Sequence, residues 1–255
     1  MSHPPHPPRD RVALVTGVGR DDNIGAEITR RLAADGYRVF ASGLPAYDES
    51  VGVAGPAPTS LISDDSVAWA GADLADPDGP ADLVARAIAE FGRVDALVAC
   101  HTYSTKTALG SLTAAEIDRH LIVNVRATML LVQAFAAAAA GDGGRVVLFS
   151  SGQRLGPMPG ELAYAASKAA IEYLVRDFSF LLAPRGFTVN GINPGPNDTH
   201  WAPRDLVQAL NRKFPSGRWG RPTDVAPVVS WLCSAESAWV TGQLLDVEGG
   251  FNRYS

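Results

Sequence analysis

Apolar positions along this chain follow two alternating rhythms. Short, nearly unbroken runs rich in Val, Leu, Ile and Ala stand at Arg11–Thr16, Tyr37–Ser42, Val67–Ala70, Asp95–Ala99, Arg145–Ser150, Phe187–Ile192 and Gln243–Val247. Runs of this length predict strands buried on both faces. Between them the apolar residues take helical spacing. Ile24, Ile28 and Leu32 share one face of a helix that stops at Asp35-Gly36, where Gly suits the terminating turn. Further helices are expected at Pro80–Phe91, Thr113–Ala140, Glu161–Leu182 and Pro222–Ser234, with Ala134–Ala140 as a helix end before the Gly141–Gly144 turn. Strand and helix alternating in this way predict an α/β fold with about seven parallel strands and helices on both faces.

The first strand runs straight into Gly17-Val18-Gly19-Arg20-Asp21-Asp22-Asn23-Ile24-Gly25 and then into the first helix. Strand, glycine-rich turn and helix together form the context of a dinucleotide site in a doubly wound, Rossmann-type domain. Glycine lets the backbone approach a pyrophosphate, and the helix N-terminus adds free N–H groups and a favourable dipole.

Downstream, Ser151 follows the fifth strand and therefore falls at the carboxyl edge of the sheet, where ligands of such folds bind. Tyr164 and Lys168 lie four apart in an Ala-rich stretch without Gly or Pro, so a helix places both on one face. A phenol has a pKa of about 10, and a neighbouring ammonium favours the phenolate. The pair reads as a general acid/base, with Ser151 placed to hydrogen-bond the oxygen that gains or loses the proton.

With these motifs assembled in order, the chain resembles the short-chain dehydrogenase/reductase family, in particular its single-domain, 3-oxoacyl reductase-like members, over residues 9–253. Thr16-Gly17…Gly25, Asp73-Leu74, Asn124, Ser151, Tyr164-x3-Lys168 and Asn193-Pro194-Gly195 occur in the family's sequence, and the family's separations of thirteen residues from Ser to Tyr and twenty-seven from Asn to Ser are kept. The resemblance implies that Tyr164 is the proton donor and acceptor and that Ser151 holds the substrate oxygen. Lys168 would lower the Tyr164 pKa and bind the nicotinamide ribose, and Asn124 would hold a water linked to Lys168. Gly17, Gly19, Arg20, Asn23, Ile24 and Gly25 would form the phosphate-binding turn. Asp73 and Leu74 would flank the adenine, and Pro194, Gly195 and Thr199 would lie by the nicotinamide amide and pyrophosphate. A mobile lid would span about residues 196–218, with Trp201 as its apolar substrate contact.

The sequence departs from the family pattern in three places. The glycine-rich turn is two residues longer, and Asn23 stands where the middle glycine is expected; Asn tolerates a left-handed backbone, so a longer turn is expected to survive. The usual Asn-Asn-Ala-Gly is replaced by Ala99-Cys100-His101-Thr102, which puts His101 forward as a lining residue of the substrate cleft. The acidic residue of NAD-preferring members is replaced by Gly43, and no Asp or Glu occurs from Gly36 to Tyr47. With that repulsive carboxylate missing, room left by Gly43, a hydroxyl at Ser42 and a guanidinium at Arg20, NADP(H) is favoured over NAD(H). Opposing this are Leu44 where a second basic residue would stand, and Asp21 and Asp22 beside Arg20.

Composition narrows the setting. The 255 residues suit one domain, 10–255, preceded by a Pro- and His-rich lead-in, 1–9, expected to be disordered and lacking the apolar core of a signal peptide. A net charge of −5 gives no footprint for nucleic acid, and no membrane partner is expected. Cys100 and Cys233 are isolated, as in a cytoplasmic protein with reduced thiols, and nothing near Cys100-His101 has metal-ligand spacing. The leading function is an oxidoreductase acting on a small carbonyl or secondary alcohol. A related isomerase or lyase, or a non-catalytic dinucleotide-binding regulator, remain as alternatives. The resemblance also implies a homotetramer or homodimer, built across the C-terminal Gly242–Tyr254 segment.

Overall fold

In the computed structural model, residues 11–53, 58, 60–63, 65–139, 143–200, 202 and 204–252 are described. The expected lead-in 1–9, Ala140, Trp201 and Tyr254 lie outside them. The elements follow as β1 (Val12–Thr16), α1 (Ile24–Ala34), β2 (Arg38–Gly43), α2 (Pro45–Ser50), β3 (Val67–Gly71), α3 (Gly79–Phe91), β4 (Ala96–Ala99), α4 (Ala114–His120), α5 (Ala127–Ala138), β5 (Arg145–Phe149), α6 (Leu162–Leu182), β6 (Thr188–Asn193), α7 (Arg204–Leu210), α8 (Pro222–Cys233) and β7 (Leu244–Asp246). Strand and helix ends agree with the sequence pattern to within a residue or two. Two short helices, α2 and α7, escaped it, since neither is long enough to show a period.

All seven strands pair in parallel, in the order β3-β2-β1-β4-β5-β6-β7. Successive side chains of a strand leave on opposite faces, so an apolar run must be covered twice. Val12 and Leu14 of β1 join Leu97, Leu148, Leu131, Phe135 and Ile171 in the core under α3, α5 and α6. Ala13 and Val15 join Val98, Val147, Ile28 and Leu232 in the core under α1 and α8. A fully buried side chain of this size contributes roughly 1.5–3 kcal/mol. Phe135 adds an edge-to-face contact with Phe187, centroids 5.7 Å apart.

The strand order reverses between β1 and β4, and there a cleft opens at the carboxyl edge. The long helix expected over Thr113–Ala140 is interrupted by a π-helical stretch, Leu121–Arg126, between α4 and α5. Its 25 residues, Ala114–Ala138, are long and apolar enough to cross a membrane by length and composition alone. Their apolar side faces the sheet, however, and Leu131 and Phe135 are fully buried against it.

Candidate functional site

One cavity of about 910 Å³ runs along this cleft. Gly17, Gly19, Arg20, Asn23, Ile24 and Gly25 line its middle, and Ser42, Asp73 and Leu74 line one end. Ser151, Tyr164 and Lys168 line the other end, with Pro194, Gly195 and Thr199 along the wall. Asn124 is buried behind the wall rather than in it.

The long glycine-rich turn holds its shape by a device different from the expected one. Asn23 is not left-handed but extended, at φ −99° and ψ 174°, and is the N-cap of α1. Its Oδ1 accepts from the Ala26 N–H at 2.8 Å and its Nδ2 donates to the Gly17 carbonyl at 3.0 Å, so one amide both caps the helix and closes the loop. Glycine is required at Gly17, which has φ 79°: a Cβ there would lie 2.7 Å from the Cys100 and His101 backbone.

The added length of the loop folds over the end of β2. Val18 N–H donates to the Ser42 carbonyl at 2.8 Å, and the Val18 carbonyl accepts from Trp69 Nε1 at 2.8 Å. A Cβ on Gly43 would lie 2.3 Å from the Val18 carbonyl. The room expected at Gly43 is therefore filled by the protein's own backbone, and no side chain of any charge fits there.

Arg20 is also placed otherwise than the sequence suggested. It is 7% exposed, and its guanidinium donates to the Thr199 carbonyl at 2.6 Å and to the Val53 carbonyl at 3.2 Å. Asp22 lies 3.4 Å from its Nε and Asp48, on α2, 3.8 Å. Asp21 pairs instead with Arg30. Burial raises the Asp48 carboxyl, while Arg20 draws it down and Asp22 pushes it up. Tyr47, beside Asp48, donates to the Ser104 carbonyl at 3.3 Å and accepts from the Ser104 N–H at 3.0 Å, which ties α2 across to the loop after β4.

At the other end, Lys168 is 3% exposed and donates to the Phe149 carbonyl at 2.9 Å, with Nζ 5.7 Å from the Tyr164 ring centroid. Burial brings Lys168 down to about 8. Burial pushes Tyr164 up to about 12, against a hydrogen bond with Ser151 that lowers it, while Glu161, Tyr47 and Cys100 raise it. Removing water from the phenolate thus outweighs the Ser151 hydrogen bond that favours it.

His101 lines the cavity, but both its ring nitrogens are engaged within the protein. Nδ1 lies 2.7 Å from Thr16 Oγ1, and Nε2 lies 3.2 Å from the Val123 carbonyl and 3.4 Å from Thr128 Oγ1. Burial first, and the Lys168 charge second, bring its pKa down to about 3, so it is neutral and joins β1 to the π-helical stretch. Asn124, within that stretch, accepts from the Tyr103 N–H at 2.7 Å and donates to the Tyr103 carbonyl and to Ser167 Oγ, each at 2.9 Å. Both amide donors are thus engaged within the protein. Trp69, Tyr47, Asp48, Tyr103 and Glu161 were missed from sequence, since none belongs to a spaced motif.

The chain matches the family model described as Enoyl-(Acyl carrier protein) reductase over residues 17–252. It is 34% identical to the uncharacterized oxidoreductase YjdA of Bacillus subtilis (strain 168), covering 99% of this chain and 100% of that protein. A short-chain dehydrogenase/reductase from Serratia marcescens BCRC 10948 superposes with a TM-score of 0.85 at 31% identity, covering 96% of this chain and 99% of that one. A blue fluorescent protein from a metagenomic library, solved in complex with NADPH, gives 0.85 at 34% identity over the same shares.

The contact at Gly43 is directly testable. Gly43→Ala should cost about 1–3 kcal/mol, as overpacking does, and lower Tm by several degrees. Gly71→Ala, whose Cβ would meet nothing closer than 3.7 Å, should leave Tm nearly unchanged. Equal thermal unfolding of Gly43→Ala and the parent would remove the close approach from the account.

Proposed function

The chain belongs to the short-chain dehydrogenase/reductase family, and on that premise we propose that it is an oxidoreductase that moves hydride between a nicotinamide cofactor and a carbonyl or secondary alcohol. The observation that carries this reading is convergence: Ser151, Tyr164 and Lys168 share one cavity with the glycine-rich loop and the start of α1. The residues fit a dinucleotide. At Gly17 and Gly25 a Cβ would strike backbone, and α1 opens on the cavity at Asn23, Ile24 and Gly25, where the first N–H groups of a helix lack intrahelical partners. Gly17, Gly19, Asn23, Ile24 and Gly25 would hold the pyrophosphate and Ser42, Asp73 and Leu74 the adenosine. Lys168 would hold the second ribose, and Pro194, Gly195 and Thr199 the nicotinamide. The nicotinamide, when bound, supplies or accepts the hydride.

The protein's own part is to hold the substrate and move a proton. Ser151 donates a hydrogen bond to the substrate oxygen. Tyr164, a phenol at neutral pH because burial pushes it up to about 12, donates its proton to that oxygen in carbonyl reduction. In alcohol oxidation the phenolate must take the proton, so that direction gains rate as pH rises. Lys168, at about 8, is protonated at neutral pH but holds its proton less firmly than an ordinary lysine. Asn124 positions the loop after β4 against α6 through its buried hydrogen bonds. Cys100 and Cys233 as free thiols suit a cytoplasmic setting.

Tyr164→Phe should fold and bind cofactor yet lose roughly 10²–10⁴-fold in turnover. Turnover near that of the parent, followed by nicotinamide absorbance with a panel of ketones and secondary alcohols, would sink the assignment.

Preference for NADP(H) over NAD(H) rests on Arg20, a basic side chain that lines the cavity together with Ser42. A 2′-phosphate would take the guanidinium from Asp48. Arg20→Ala should cut the NADPH/NADH ratio of kcat/KM by about 10- to 100-fold, and Asp48→Asn should raise it. A parent that prefers NADH, or a ratio indifferent to Arg20, would rule the preference out.

Self-association, as dimer or tetramer, is proposed through the last strand. β7 forms the sheet edge with Leu244, Leu245 and Val247 only half-buried, and nearby Trp239 is 99% exposed. Static light scattering at micromolar concentration should report more than one chain per particle, and a monomer there would exclude this interface.

A further inference from the structure

Glu161 is the N-cap residue of α6, one turn ahead of Tyr164, yet its side chain makes no cap hydrogen bond. The capping is done from another element. Thr107 accepts from the Ala163 N–H through Oγ1 at 3.1 Å and from the Leu162 N–H through its carbonyl at 3.0 Å. Its own N–H donates to the Gly160 carbonyl at 2.8 Å, and a parallel bridge pairs Thr107 with Glu161. The Glu161 backbone is therefore held on both sides while its carboxylate is released from the usual task of that position.

The freed carboxylate lines the same cavity as Ser151 and Tyr164 and is half-buried. Among the described residues it accepts no hydrogen bond and has no ion pair within 4.0 Å. Burial raises its pKa, and Lys106, exposed at the cavity rim, draws it back. A partly desolvated carboxylate without donors gains from any donor that enters with a ligand. Anionic groups are repelled there. Ammonium groups would face both Lys106 and the buried Lys168, like charges in the same cavity. A neutral donor, a hydroxyl, remains. Met158, Leu206, Leu210 and Trp219 on the rest of the wall suit a carbon skeleton.

Resting on the oxidoreductase reading above, we propose that Glu161 is a specificity-determining residue whose carboxylate accepts a hydrogen bond from a substrate hydroxyl close to the reacting oxygen. The preferred substrates are then hydroxyketones and vicinal diols over simple ketones and mono-alcohols.

Glu161 also acts on Tyr164. The groups that face this phenol are Ser151, which lowers its pKa, and Glu161, Tyr47 and Cys100, which raise it, with Lys168 over its ring. Removing the negative charge of Glu161 favours the phenolate, so the alkaline rise of alcohol oxidation moves to lower pH.

The test compares trans-1,2-cyclohexanediol with cyclohexanol as substrates of the full chain, with NADP⁺ and NAD⁺, in the parent, Glu161→Gln and Glu161→Ala. The parent should favour the diol by about 10- to 100-fold in kcat/KM, mostly through KM, as expected for a hydrogen bond to a charged group. Glu161→Ala should abolish that preference, and Glu161→Gln should retain part of it while shifting the pH profile for cyclohexanol downward. Oxidation of both alcohols with no diol preference in the parent overturns the role of Glu161 and leaves the oxidoreductase reading standing, without need of a variant that folds. A diol preference that survives in Glu161→Ala, or an unmoved pH profile in Glu161→Gln, overturns it as well. Failure of the parent to oxidise either alcohol, or to reduce any ketone of the wider panel, takes down both readings.

Discussion

The arrangement of the site depends on a short relay of buried polar contacts behind its wall. Thr16, at the end of β1, meets His101; His101 meets Val123 and Thr128 in and beside the π-helical stretch. Asn124 of the same stretch grips both main-chain polar groups of Tyr103 and reaches Ser167 on α6, one residue before Lys168. The relay joins the strand that leads into the glycine-rich loop to the helix that carries Tyr164 and Lys168. Each buried group left unpaired would cost about 1–3 kcal/mol, which keeps the two halves of the cavity in register. Asn124 makes these contacts from within the π-helical stretch, a local widening common at functional sites.

Burial sets the electrostatics of the catalytic end. It raises Tyr164 to about 12 and lowers Lys168 to about 8, each toward its neutral form. The phenol therefore holds its proton more tightly than an ordinary tyrosine, and the lysine holds its own less tightly than an ordinary lysine. Burial likewise pushes the Cys100 thiol up to about 12, against the Lys168 charge that draws it down.

At the opposite end the lengthened loop covers the end of β2 and sets which charges line the cavity there. With the end of β2 covered by Val18 and Gly19, the nearest carboxylate comes from α2, as Asp48, and it stands against Arg20 rather than alone. Tyr47 and Arg20 bind opposite rims of the cleft, to Ser104 and to Thr199. The helix α2 thereby becomes part of the cavity wall.

Much of this was legible in the chain itself. Periodicity marked the seven strands and the long helices because burial on one or two faces repeats along a local segment. The Ser151, Tyr164 and Lys168 spacing marked three residues that share the cavity, because one helix and one strand end carry all three. What the sequence could not carry was decided by contacts between residues remote from one another. Whether Gly43 leaves space depends on where Val18 lies, and what the Arg20 guanidinium binds depends on Asp48 and Thr199, the latter 179 positions away. Whether Glu161 caps its helix depends on Thr107, from a different loop. Local pattern determines which elements form and in what order. Only their packing determines which side chains are occupied by the protein and which are left free for chemistry, because a hydrogen bond or a filled space is settled by distance in the fold and not along the chain.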